Sequence, residues 1–213
     1  MSSSTTHDSP SSGSPEAMWD ERYASSGLVW SAEPNALAAS LLHDLPAGRA
    51  LDVAAGEGRM ALWLAGLGWQ VTALDFSTVG LAKGRSRAEE HALQVDWRLA
   101  DATTADLGES AYDLVLVLYL HLPEPDIRDL LDRCAKALAP GGHLIVIGHD
   151  KDNLLRGAGG PQDERLLYDT TLLSPPADLQ VLRLEQVDRP ATGGVAVDTL
   201  LLATRPQLAP EPA

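Results

Sequence analysis

Ala50-Leu51-Asp52-Val53-Ala54-Ala55-Gly56-Glu57-Gly58-Arg59, followed seventeen residues after Gly58 by Asp75 at the end of Val71-Thr72-Ala73-Leu74-Asp75, is the stretch that decides the fold of this chain. It reads as a strand, a glycine turn, a helix and a second strand ending in a carboxylate, which is half of a nucleotide-binding crevice. Glycines at 56 and 58 carry no Cβ, so the backbone can turn sharply and a flat ligand can approach the main chain. A carboxylate at the tip of the next strand can then accept hydrogen bonds from a ribose diol. Gly56-Glu57-Gly58-Arg59-Met60-Ala61 also satisfies the dinucleotide pattern G-x-G-x-x-A, so this half-site alone admits NAD as well as another adenosyl cofactor.

The chain outside this stretch separates the two. Asp52 lies four residues ahead of Gly56, and three further segments follow: Leu99-Ala100-Asp101-Ala102, Tyr112-Asp113-Leu114-Val115-Leu116-Val117-Leu118, and Leu138-Ala139-Pro140-Gly141-Gly142 running into His143-Leu144-Ile145-Val146-Ile147. Together they resemble the class I S-adenosylmethionine-dependent methyltransferases. The resemblance implies an α/β, Rossmann-like fold: a seven-stranded, mostly parallel sheet with a C-terminal antiparallel hairpin and N-terminal helices over the site. It implies S-adenosylmethionine as cofactor, with Gly56 and Gly58 against its amino-acid end, Asp75 on the ribose, and Asp101 on the adenine amine beside Ala102. Asp52, Ala54, Arg59, Phe76 and Leu118 complete the implied cofactor set. The chain departs from the family run Asp-x-Gly-x-Gly-x-Gly, because Ala54 and Ala55 replace the first glycine and its successor.

Met18-Trp19-Asp20-Glu21-Arg22-Tyr23, Leu28-Val29-Trp30 and Leu120-His121-Leu122 are similar to the small bacterial methyltransferases related to those of tellurite resistance and thiopurines. That similarity implies that Trp19, Tyr23 and Trp30 close over the cofactor. A sulfonium cation is attracted to aromatic faces, and methyl transfer benefits from excluded water.

Periodicity places helices at 17–30 and 36–43 ahead of strand 49–54, and a helix at 59–66 with Ala61, Leu62 and Ala65 on one face. Ser77 is a cap for a helix at 79–91. The apolar run 113–118 suits a central parallel strand covered on both faces. A helix at 126–138 stops at Pro140-Gly141-Gly142. Two last strands, about 179–187 and 195–203, are joined by 188–194, too short for a crossover helix. That terminal hairpin disfavours an NAD-dependent oxidoreductase. A non-catalytic adenosyl-binding regulatory module is the other alternative.

Methyl transfer is an in-line displacement, so alignment and water exclusion dominate and a general base is optional. The candidates are His121, after the fourth strand, and His149, after the fifth. His149 adjoins Asp150, yet neighbours on an extended chain point to opposite sides. The glycine-rich loop 148–163 is a candidate substrate lid. No metal-ligand spacing and no phosphate-loop pattern occurs.

The 16 basic and 30 acidic residues give a formal charge of -14, which repels polyanions and excludes nucleic acid and anionic membranes as partners, leaving a small-molecule methyl acceptor. Cys134 sits at an apolar helical position, as a buried small hydrophobe. The expected organisation is one methyltransferase domain at 16–206 between disordered tails at 1–15 and 207–213. With no secretory h-region and no membrane-length apolar run, a cytoplasmic location is expected.

Overall fold

A computed structural model describes residues 14–25 and 27–207. The elements are α1 (Pro15–Ala24), α2 (Ala36–Leu42), β1 (Arg49–Val53), α3 (Arg59–Gly66), β2 (Gln70–Asp75), α4 (Thr78–Glu90), β3 (Val95–Leu99), β4 (Tyr112–Leu118), α5 (Glu124–Ala137), β5 (Leu138–His149), α6 (Asn153–Arg156), β6 (Gln180–Ala191) and β7 (Gly194–Thr204). They build a seven-stranded sheet in the order β3-β2-β1-β4-β5-β7-β6. The first five strands run parallel, and β7 pairs antiparallel with both β5 and β6.

Alternation along β4 explains the two cores. Val115 and Val117 face the side covered by α5, where they meet Ile127, Leu130, Leu131 and Cys134. Leu114 and Leu116 face the other side, with Ala61 and Leu64 of α3 and Ala38 of α2. Both faces are dry, which is why this strand is one continuous apolar run. Cys134 is fully buried, as the sequence suggested, and burial pushes its thiol up to about 12.

Several boundaries differ from the sequence reading. Ser14 caps α1 through its side chain and Pro15 occupies its first turn, so helix begins inside the expected tail and stops at Ala24 rather than 30. The rest of the two expected tails, 1–13 and 208–213, lies outside the described residues. Helix α5 ends at Ala137 and passes directly into β5, so Pro140-Gly141-Gly142 does not stop the helix. It forms a bulge in the strand, where pairing jumps from Tyr112–Leu138 to Leu114–His143. Between β6 and β7, pairing continues to Ala191–Gly194, leaving a two-residue Thr192-Gly193 turn in place of the expected loop 188–194.

Candidate functional site

Strands β1, β2, β3 and β4 end at one edge of the sheet, and the strand order reverses between β1 and β4. Ligands of open parallel sheets settle outside that edge. The chain leaves β1 through a turn in which Ala54, Gly56 and Gly58 have φ of 56°, 56° and 73°. Alanine in the left-handed region is strained, and glycine there is not. Ala54→Gly is therefore expected to stabilise the fold by about 1 kcal/mol, net of glycine's greater unfolded-state freedom. Thermal denaturation would register this as a rise of roughly 2–4 °C; a fall would mean that Ala54 has packing that outweighs its strain.

Asp75 ends β2 beneath this turn. Its carboxylate accepts the backbone N–H of Gly56 at 2.8 Å and of Ser77 at 2.7 Å. Burial raises its pKa against the opposing pull of these bonds. Each carboxylate oxygen has a second lone pair for a hydroxyl donor. Asp52 lies inside β1, where its carboxylate accepts the Ala61 N–H at 3.1 Å near the N-terminus of α3. Complete burial pushes it up to about 7, with Arg59 pulling the other way. Arg59 is itself mostly buried, and desolvation lowers its pKa. Phe76 and Leu118 are half-buried at the ends of β2 and β4. Asp101, past the end of β3, closes a turn by accepting the Thr103 N–H at 2.8 Å, and neighbouring Ala102 is buried.

Residues 15–25 and 27–30 close on this edge. Trp19 stacks on Tyr23 at 5.4 Å and stands 6.4 Å from Trp30, with the Arg22 guanidinium over both indoles at 4.9 and 5.1 Å. The three expected aromatic residues are thus brought together, but only Tyr23 is buried; Trp30 is 39% exposed. Tyr23 sits directly on the glycine turn, since a Cβ on Gly56 would come within 2.5 Å of its hydroxyl. Asp20 reaches Ser77, Thr78 and the Val79 N–H at the start of α4.

Sequence reasoning missed the residue that fastens this strap. Glu57, between the two glycines, is buried, and its carboxylate accepts the N–H groups of Val29 and Trp30. Lys83 of α4 pairs with Glu57 at 3.1 Å and donates to the carbonyls of Ser25 and Gly27. Trp97 of β3 was also missed; its ring packs where a Cβ on Gly58 or Gly84 would stand. In the sequence, both read as ordinary surface or strand positions.

The second half of the edge carries the histidines. His121 and His149 lie face to face, ring centroids 5.4 Å apart and planes 7° from parallel. The His121 Nδ1 donates to the Leu166 carbonyl at 2.8 Å, and desolvation pushes its pKa down to about 4, so it is neutral. His149 Nδ1 stands 3.1 Å from Asp198 Oδ1. Tyr119, between β4 and His121, has a φ of 58°. An aromatic residue held there marks stored strain of the kind that clusters at functional sites. Its hydroxyl donates to Asp198 at 2.8 Å and receives the Asn35 amide at 3.3 Å.

Asp150 points away from His149, as an extended chain requires; it accepts the Thr199 hydroxyl at 2.6 Å. Asn153 accepts the Val197 N–H, and the Asp150 and Ala158 N–H groups donate to Val197 and Val195. Residues 150–158 are therefore stapled to β7. A Cβ at Gly148 or Gly157 would collide with Tyr168 or Asn153. Among the described residues no three His, Cys, Asp or Glu side chains cluster as a metal site.

Residues 50–142 match the family model described as "Methyltransferase domain". Over 98 residues the chain is 35% identical to the ubiquinone biosynthesis O-methyltransferase of Idiomarina loihiensis, covering 46% of this chain and 40% of that protein. The chain spans about two fifths of the length of the curated relatives it matches. TehB from Haemophilus influenzae superposes with a TM-score of 0.68 at 17% identity, over 89% of this chain and 66% of that one. A SAM-dependent methyltransferase from Methanosarcina mazei superposes with a TM-score of 0.66 at 13% identity, over 83% and 100% of the two chains. The fold is that of the class I methyltransferases.

Proposed function

We propose that this chain, whose residues 50–142 match the methyltransferase-domain model, transfers a methyl group from S-adenosylmethionine to a small-molecule acceptor. The observation that supports this most is the convergence of the Ala54–Gly58 turn, Asp52 and Asp75 at the switch point of the sheet. The donor set suits the cofactor. Asp75 has lone pairs for a ribose diol, and the desolvated carboxyl of Asp52 favours a cation nearby. The turn glycines admit the amino-acid end once Tyr23 moves aside, while Asp101 and Ala102 border the adenine. When bound, the cofactor supplies a methyl carbon on a cationic sulfur that departs as a neutral thioether.

The protein's task is then to align an acceptor and exclude water. Trp19, Tyr23 and Trp30 cover the cofactor side, and His121, His149 and Tyr119 border the acceptor side. The net charge of -14 opposes nucleic acid as a substrate, and among the described residues no helix is long and apolar enough to cross a membrane. A cytoplasmic location fits this chemistry.

Isothermal titration with S-adenosylmethionine and S-adenosylhomocysteine tests the reading. Saturable binding of both supports it, and binding of neither refutes it. The strap makes a kinetic prediction. Glu57→Gln removes a charged acceptor from two backbone N–H groups and from Lys83, each bond to a charge being worth about 1.5–3 kcal/mol. Cofactor association, followed by stopped-flow tryptophan fluorescence, is expected to accelerate by about tenfold as the strap opens more often. Unchanged association would show that segment 15–30 does not gate entry.

A further inference from the structure

Asp198 accepts hydrogen bonds from two side chains of different parts of the sheet. It is completely buried on β7, the strand that pairs antiparallel beside β5, and its register partner there is His149. Directly opposed residues of an antiparallel pair project to the same face, close enough for their side chains to meet. Oδ1 stands 3.1 Å from His149 Nδ1. Oδ2 accepts the Arg189 Nε at 2.7 Å from β6 and the Tyr119 hydroxyl at 2.8 Å from the end of β4. Two donors thus bond one carboxylate while the His149 nitrogen stands beside it, and Arg189 also lies 5.5 Å over the Tyr119 ring.

The His149 ring is packed on several sides. Tyr119 stands 5.2 Å away and the neutral His121 5.4 Å away. Gly160 covers the ring edge, where a Cβ would come within 3.0 Å of Nε2. The charged and titratable groups facing His149 are therefore Asp198, Arg189, Tyr119 and His121. Nδ1 and the Asp198 Oδ1 beside it are both buried and neither makes a hydrogen bond, while 13% of the His149 side chain stays open. Two buried, unpartnered atoms 3.1 Å apart are reconciled by a proton on Nδ1, which a small rotation of the ring aims at the carboxylate and which leaves Nε2 as the basic nitrogen.

We infer that Asp198 is a positioning residue that holds His149 in the tautomer with a basic Nε2, so that the methyl acceptor is a protic nucleophile, a hydroxyl or a thiol, whose proton His149 takes. The inference rests on the methyltransferase reading. As the acceptor's O–H or S–H bond breaks, its proton goes to Nε2. The freed electron pair forms the bond to the methyl carbon, and the carbon–sulfur bond breaks with its pair on sulfur. The imidazolium is held against the Asp198 carboxylate until its proton passes to solvent at the open ring edge. Tyr119 and Arg189 keep the carboxylate ionised and aimed.

The test is the tautomer of His149 in the full chain, read from the 15N shifts of its imidazole, with His149→Gln identifying the resonances. The wild type is expected to carry the neutral-state proton on Nδ1. In Asp198→Asn the amide oxygen keeps the Arg189 and Tyr119 donors, so its NH2 faces Nδ1 and the proton moves to Nε2; the same reversal accompanies acid-to-amide replacement in serine-protease triads. An Nε2–H tautomer in the wild type overturns the inference without any variant needing to fold. A folded Asp198→Asn with an unchanged tautomer also overturns it. Titration of S-adenosylmethionine into the wild type separates the two failures. Loss of cofactor binding with the expected tautomer refutes the methyltransferase reading, on which the inference depends, whereas retained binding with the wrong tautomer refutes the inference alone.

Discussion

Asp75→Ala is expected to abolish measurable cofactor binding, weakening it by at least 100-fold. Two hydroxyl donors on one carboxylate are worth about 1.5–3 kcal/mol each, and alanine replaces neither. The same change strips the acceptor from the buried N–H groups of Gly56 and Ser77, the bonds that hold the glycine turn against β2. Each unsatisfied donor costs about 1–3 kcal/mol, partly offset by removal of a carboxyl that burial already disfavours in its charged form. A net loss near 2 kcal/mol is expected in chemical denaturation. Asp75→Asn separates the contributions: its oxygen can serve one of the two N–H groups, so stability recovers in part while cofactor binding does not. Calorimetry at a temperature where each variant is folded decides the matter. Wild-type affinity in Asp75→Ala would remove Asp75 from the site.

The second large effect is a pH dependence carried by Asp52. Burial pushes its carboxyl up to about 7 in the folded chain, against about 3.9 when unfolded. Between these values the folded protein holds a proton that the unfolded chain has released. Stability therefore falls as pH rises through that window and is level above it. Three pKa units correspond to about 4 kcal/mol at 1.36 kcal/mol each. His121 works in the opposite direction. Pushed down to about 4, it stays neutral in the fold while the unfolded chain takes up a proton below about 6.5, so its contribution is lost as pH falls.

The two slopes offset each other in the wild type, and Asp52→Asn exposes the second. Its amide oxygen still accepts the Ala61 N–H, and it carries no charge. Urea denaturation at a series of pH values is expected to show Asp52→Asn and wild type nearly equal at pH 4. The variant should then be ahead by up to about 4 kcal/mol near pH 8. Parallel curves would place the Asp52 pKa in the ordinary range.

The parallel half of the fold was legible because its signals are local. The α3 bounds were read to the residue at 59–66, and the Ser77 cap from its side chain alone. Segments whose structure depends on a distant partner were misread. Pro140-Gly141-Gly142 carries every local sign of a helix stop, yet pairing with Tyr112 and with Arg205 keeps it in the sheet. The 188–194 stretch looks like a loop until Asp188–Ala191 finds Gly194–Val197 across the hairpin. Nothing local in the glycine-rich loop shows that the space left by Gly148 and Gly157 is filled by Tyr168 and Asn153.

The sequence by itself determined the α/β class, the glycine turn and the residues ending β1 and β2, because strand, turn and helix within about 30 residues obey local sterics and periodicity. It also named both histidines. What only the tertiary structure decided is what each of these residues faces. Glu57 anchors Val29 and Trp30, Tyr23 lies on Gly56, and His149 meets Asp198 rather than its neighbour Asp150. Those contacts span up to 49 positions along the chain and arise from strand register and sheet order, which depend on cooperative pairing of the whole sheet and not on any window of residues.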